Sequence, residues 1–205
     1  AMYPSSANGI SLDNAAQYGG TVRKNAAKSY YPIHCTGIDG TVLPLGTSIA
    51  AKTNPAVNFV VSGSETQREI TRDNFNKVEL RIASIENQKT YSVGLNNTLY
   101  SYTSGQNATQ SEILDGIAAT ITSADWQITR LENSIRIEDK NVQRSNKLVL
   151  TENLTTVNVT SIITFASEEF GDVYVPDGII TNIVKTAAGF ESCVNLSGYI
   201  AGRMR

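Results

Sequence analysis

The stretch Thr36-Gly37-Ile38-Asp39-Gly40-Thr41-Val42-Leu43-Pro44-Leu45-Gly46-Thr47 folds back on itself twice, and this constrains the chain more than any other feature. Asp39-Gly40 is a turn signal between two short apolar runs. Pro44-Leu45-Gly46 is a second turn, in which Pro presets φ at the second position of a type I turn and Gly fits the fourth. The second half is echoed far downstream in Val173-Tyr174-Val175-Pro176-Asp177-Gly178-Ile179-Ile180-Thr181-Asn182-Ile183. Both copies read as apolar strand, Pro-x-Gly turn, apolar strand. Neither carries residues that suggest chemistry.

Composition agrees with compact β structure. The chain is rich in Thr, Ser and Asn as well as Val, Ile and Tyr, which favours strands and turns over long helices. At 205 residues it suits one large domain or two small ones. Its 17 basic and 19 acidic residues leave a formal charge of -2, so electrostatics offer no case for nucleic acid or an anionic membrane. No apolar run approaches the roughly 18–20 residues of a membrane helix, so no membrane insertion is expected. The N-terminus lacks the order of a secretory signal. Ala1-Met2 reads as a cloning scar, and Gly202-Arg203-Met204-Arg205 carries no terminating signal, so an excerpt of a longer protein is expected.

Local patterns place the elements. Ser11 to Gly20 reads as a short helix with Ser11 as N-cap and Gly19 just past its end, and residues 21–29 as a linker or exposed strand. Strands are expected at 48–52 and 58–62, and again where Val78, Leu80 and Ile82 alternate with Glu79 and Arg81. Tyr91, Val93 and Leu95, then Asn96-Asn97, then 98–102 read as a β-hairpin, since Asn tolerates positive φ. Thr109-Gln110-Ser111-Glu112 fits a capping box for a helix whose apolar face is Ile113, Leu114, Ile117, Ala118 and Ile121. A second hairpin pairs Trp126 to Leu131 with Ile135 to Glu138 through Asn133-Ser134. After a polar loop come Leu148-Val149-Leu150 and a last strand through Val157, Val159, Ser161, Ile163 and Phe165. The expected class is α+β and β-rich. Residues 1–29 hold the short helix and linker. A discontinuous β domain covers 30–87 plus 166–205, and a small hairpin-helix-hairpin α+β unit at 88–165 is inserted into it.

Candidate chemistry is sparse. His34 is the sole histidine, and its neighbour Cys35 points to the opposite face of a strand, so the two make a poor base and nucleophile. Cys35 and Cys193 are too few for a disulfide scaffold or a cysteine metal site. They read as small buried hydrophobes, with one bridge between them as the alternative, because each lies beside an echoing segment. Asp139-Lys140-Asn141 begins like a calcium loop but lacks the Gly and closing Glu, and reads as a solvated loop. Glu168, Glu169 and Asp172 invite comparison with a glycosidase carboxylate pair but read as a loop. Sequons at Asn96, Asn107, Asn153, Asn158 and Asn195 carry no weight without a secretory signal. Tyr30-Tyr31 and Tyr100/Tyr102 offer either a sugar-stacking platform or core packing. No catalytic, cofactor-binding or metal residues are assigned, and no cofactor is expected.

With these segments in hand, the chain resembles the baseplate J-like family of contractile-tailed phages. Three places carry the resemblance: Tyr3 to Gly19 with Arg23-Lys24; Gly37 to Thr47, similar to the family's Gly-Thr-x-Gly-Thr-Val-Ile-Pro-Ala-Gly-Thr; and Gly178 to Asn195, with Ala188-Gly189-Phe190-Glu191-Ser192-Cys193-Val194-Asn195. Phe190 stands where a smaller aliphatic is common, and the long middle falls where the family varies. The resemblance implies a structural, non-enzymatic subunit of the baseplate wedge. Its partners would be other wedge and hub proteins and further copies of itself in a ring around the tail hub. Its place would be the virion tail, and the host cytoplasm during assembly. The alternative is a carbohydrate-binding or adhesin-like β module on a virion or cell surface. The ordered trio of motifs separates the two, because an adhesin has no reason to carry it.

Overall fold

The computed structural model describes residues 25–204. The helix expected at 11–20 and the first motif segment lie outside the described residues. The described chain is a β-rich α+β structure of antiparallel strands and one α-helix. Its first half holds β1 (Lys28–Gly37), β2 (Thr41–Val42), β3 (Ser48–Ala51), β4 (Asn58–Val61), β5 (Glu69–Ile70) and β6 (Phe75–Ile82). Next come β7 (Thr90–Leu95), β8 (Thr98–Thr103), α1 (Gln110–Thr120), β9 (Trp126–Arg130), β10 (Ile135–Asp139) and β11 (Leu148–Leu150). The chain finishes with β12 (Leu154–Phe170), β13 (Ile180–Lys185) and β14 (Phe190–Val194).

β12 is the spine. It spans 17 residues, well beyond the apolar alternation that marks it in the sequence. One edge pairs with β6 through Leu154–Ser161 and with β4 through Phe165–Ser167; the other edge pairs with β1. From it the large sheet runs β13-β3-β4-β12-β6-β10-β9, with β1 and then β14 on the far side of β12. β13 and β14 lie side by side, so the strands flanking β12 curl round until these two outer strands meet. The strands of 88–165 divide between two sheets. β9, β10 and most of β12 join the large one, while β11, β7 and β8 form a separate three-stranded sheet.

The β7–β8 hairpin closes at Leu95↔Thr98, with Asn96 at φ +55°. In α1 the Thr109 hydroxyl accepts from Glu112 N–H at 3.2 Å, and Glu112 Oε2 accepts from Thr109 N–H at 3.3 Å. Such a cap contributes about 1 kcal/mol. Burial of Ile113, Leu114 and Ile117 contributes roughly 1.5–3 kcal/mol each and outweighs it. Gly116 lets the helix settle onto β8, for a Cβ there would meet the Tyr102 ring at 2.4 Å. One apolar core joins the large sheet and the three-stranded one, with β2 and β5 paired as a third, two-stranded sheet. Phe59, Phe75, Phe165, Tyr31 and Tyr91 are all fully buried, and Trp126 stacks on Phe75 at 5.9 Å.

Two local readings change. The Pro44 turn sits one residue later than the sequence suggests. Thr47 N–H bonds to Pro44 C=O at 3.0 Å, which puts Gly46 third, and its φ is +91°. A positive φ at that position is what glycine supplies in a type II turn. The segment 173–175 is not a strand. The Tyr31 hydroxyl donates to Val173 C=O at 3.0 Å and accepts from Val175 N–H at 2.7 Å, so one side chain serves the backbone groups that a strand partner would have taken.

Candidate functional site

The two described motif segments, far apart in sequence, meet in space. β14 pairs with β1 through His34↔Val194, Cys35↔Cys193, Thr36↔Ser192 and Gly37↔Phe190. The strands that follow the two Pro-x-Gly turns, β3 and β13, pair with each other. Ile38 N–H donates to Gly189 C=O at 2.9 Å. A Cβ on Gly37 would lie 2.1 Å from that same oxygen, so only glycine permits the approach. Gly189 itself has φ +85°.

Asn195 locks the second segment. It is 1% exposed; its Oδ1 accepts from Ile180 N–H and its Nδ2 donates to Pro176 C=O, both at 2.8 Å. Its own backbone carbonyl accepts from Gly178 N–H. One side chain thus spans the Pro176-Asp177-Gly178 turn and sets the start of β13. Opposite, the first segment is held by Arg68, which is 8% exposed and donates to Leu43 C=O and Gly63 C=O. Asp39 accepts from both the backbone and the guanidinium of Arg72. Outside this scaffold Ile38, Val42 and Leu45 are exposed, and a shallow groove runs between Pro44-Leu45 and Ala187-Ala188. The junction is a rigid, hydrogen-bonded frame with an apolar rim.

The remaining candidates are scattered. His34 is buried on β1, and burial pushes its pKa below the ordinary 6.5, with the charge of Lys77 acting in the same direction. Cys35 and Cys193 are free and buried. Burial holds the Cys35 thiol well above its usual value and pushes Cys193 up to about 11, so both are protonated near neutrality. Asp139 corrects the reading of a solvated loop. It is 1% exposed and gripped by Arg144 Nε at 2.5 Å, Arg144 Nη2 at 2.9 Å and Asn146 Nδ2 at 2.7 Å. Burial alone would raise its pKa, but these donors and Asn141 N–H outweigh it and hold the carboxyl below the usual range. Its oxygens are spent on protein donors rather than offered to a cation. Among the described residues no cluster of three or more His, Cys, Asp or Glu is arranged to hold a metal.

Glu168 and Glu169 correct the loop reading, for they lie in the last residues of β12; both are exposed, as is Asp172 in the loop that follows. Asn58 Nδ2 reaches Glu168 at 3.4 Å, and the Tyr199 hydroxyl donates to Asp172 at 2.9 Å. Tyr31 is buried while Tyr30 faces outward, and Tyr100 and Tyr102 pack against the core, with the Tyr102 hydroxyl on Glu112 at 2.7 Å. Two of the five sequons, Asn153 and Asn195, are 1% exposed and inaccessible. Sequence reasoning missed Ser29, fully buried, whose hydroxyl donates to Gly171 C=O and accepts from Val173 and Gly202 N–H. No local signal marks it, because every partner is distant in sequence.

A cleft of about 360 Å³ lies on the outer face of β1, lined by Tyr30, Pro32, His34, Gln143, Ser197 and Tyr199 among others. Tyr30 exchanges backbone hydrogen bonds with Ile200 on this side. Two residues on, the Pro32 nitrogen faces the same way with no hydrogen to donate, and residues 196–199 make no ladder pairs with β1 beside the cleft. Among the described residues no helix is long and apolar enough to cross a membrane. No protein-family model matches the chain, and no curated protein or solved structure matches it.

Proposed function

We propose that the chain is a structural subunit of a phage-type contractile-tail baseplate wedge that makes protein–protein contacts in the ring around the tail hub. One observation carries this reading: the two described segments that carry the baseplate J-like resemblance converge on each other. Gly37, Gly189, Gly178 and Asn195 each have a geometric duty at their junction. A pattern of turns and aliphatics with no chemical role then has a physical reason, since it specifies a frame. The work of the protein is contact: with other wedge and hub proteins, and with further copies of itself in a symmetric ring. The segment 88–165 elaborates that frame, because β10 hydrogen-bonds onto β6 of the large sheet and β9 onto β10. The reading places the protein in the virion tail, and in the host cytoplasm during assembly, with no catalysis.

Co-expression with the products of neighbouring tail genes, followed by size-exclusion chromatography with mass determination, tests it. Stoichiometric co-elution is expected. A chain that stays monomeric beside every neighbour overturns it. The adhesin reading keeps one supporting observation, the uncharged cleft beside Tyr30 with hydroxyl and amide groups from Ser197 and Gln143. Glycan binding lost in Tyr30→Ala would favour that reading instead.

A further inference from the structure

We infer that Cys35 and Cys193 form a built cross-strand disulfide site: an organic disulfide oxidises them to a bond tying β14 to β1 without rearranging either strand. The two stand directly opposite in antiparallel register. Antiparallel neighbours alternate between hydrogen-bonded and non-hydrogen-bonded pairs, and the second kind brings Cα atoms to about 4.5 Å with side chains closest. The pairing type follows from the backbone bonds around it. Tyr30 exchanges both of its hydrogen bonds with Ile200, at 2.9 and 2.8 Å, so its backbone groups face the β14 side. From Tyr30 to Gly37 the register of β1 against β12 is unbroken. Even-numbered residues therefore face β14 and odd-numbered ones face β12. Ile38 N–H, bonded to Gly189 C=O, keeps that parity. Cys35 and Cys193 accordingly occupy a non-hydrogen-bonded pair.

Such a pair suits a disulfide, whose Cα atoms lie about 4.4–6.8 Å apart and whose Cβ atoms lie about 3.5–4.5 Å apart. Opposite residues on paired strands share a face, and both cysteines turn into the core, 0% and 5% exposed. Both are free thiols here. The bond would fasten the junction of the two motif segments and close a loop containing most of the chain.

The chemistry balances with a small organic disulfide as the oxidant. The Cys193 thiolate attacks one sulfur of the reagent, its S–S bond breaks, and one reagent thiolate leaves. The Cys35 thiolate then attacks the Cys193 sulfur of the mixed disulfide, and the second reagent thiolate leaves. Two protein thiols lose two electrons and two protons, and one reagent disulfide becomes two thiols. In the native protein burial slows the first attack, because the thiolate is scarce and covered.

The test is therefore refolding of the denatured, reduced full chain in bis(2-hydroxyethyl) disulfide, with intact-mass analysis and peptide mapping. The expected product is lighter by two hydrogen atoms, yields one cross-linked peptide pair containing Cys35 and Cys193, and unfolds roughly 5–15 °C higher than its reduced form. Cys35→Ser and Cys193→Ser are each expected to stop at the mixed disulfide with the reagent. Folded protein with two free thiols, with two mixed disulfides, or with bonds only between chains overturns the inference.

Discussion

Asn195→Ala removes the one side chain that spans the Pro176 turn, and its cost follows from the partners left behind. Ile180 N–H is buried on a residue with no exposure, so losing Oδ1 strands a donor away from water. A buried unpaired polar group costs about 1–3 kcal/mol. Pro176 is exposed, so its carbonyl regains a water partner and adds less. The sum is about 2–4 kcal/mol, against a total stability of about 5–15 kcal/mol for a domain. At this chain length each kcal/mol moves the thermal midpoint by about 2–4 °C, so a drop of roughly 4–16 °C is expected. Urea denaturation followed by tryptophan fluorescence reads it through the single Trp126. Asn182→Ala, an exposed position in the same β13, is the control and is expected within about 0.5 kcal/mol of the parent. If Asn195→Ala is no more costly than Asn182→Ala, the assignment of Asn195 as the lock of the second segment is wrong.

Gly37→Ala places a Cβ against the Gly189 carbonyl, and because both partners are backbone the strands must part. Failure to accumulate folded protein, or a loss of at least about 2–3 kcal/mol by urea denaturation, is expected; a parent-like midpoint refutes the close approach. His34 is held neutral by burial, so the unfolded state takes up a proton near its ordinary pKa before the folded state does. Its contribution is complete above about pH 6.5 and is lost as pH falls toward the lowered folded value. The urea midpoint should therefore drop between about pH 7 and 5.5 in the parent and drop less in His34→Gln, and equal slopes would contradict this. Thr109→Ala should cost about 1 kcal/mol through the cap alone, and a change near zero would show that packing of α1 makes the cap redundant.

What the sequence made legible was local. The capping box of α1 and the Asn96-Asn97 hairpin were readable because their determinants lie within a few residues of each other. The echo of the two Pro-x-Gly turns was readable too, but not that β3 and β13 pair, since register depends on where β12 carries the chain. Val173-Tyr174-Val175 carries strand propensity and lost to the Tyr31 hydroxyl, a partner more than a hundred residues away. Asp139 looked solvated because the residues that bury it act only after folding: Arg144 and Asn146 close the loop, and Asn76 ties it to β6. Asn195 ends the Gly178 to Asn195 segment, yet its duty is set by Pro176 and Ile180 across a turn, which spacing alone does not reveal.

The wedge assignment is tested most directly by locating the chain in an assembled particle. Contractile tails assembled with an epitope-tagged copy would be labelled with gold-conjugated antibody and imaged by electron microscopy. Label in a ring at the end of the tail, where tube and sheath meet the fibres, is the expected result. Label confined to fibre tips, or intact tails carrying none, would contradict it.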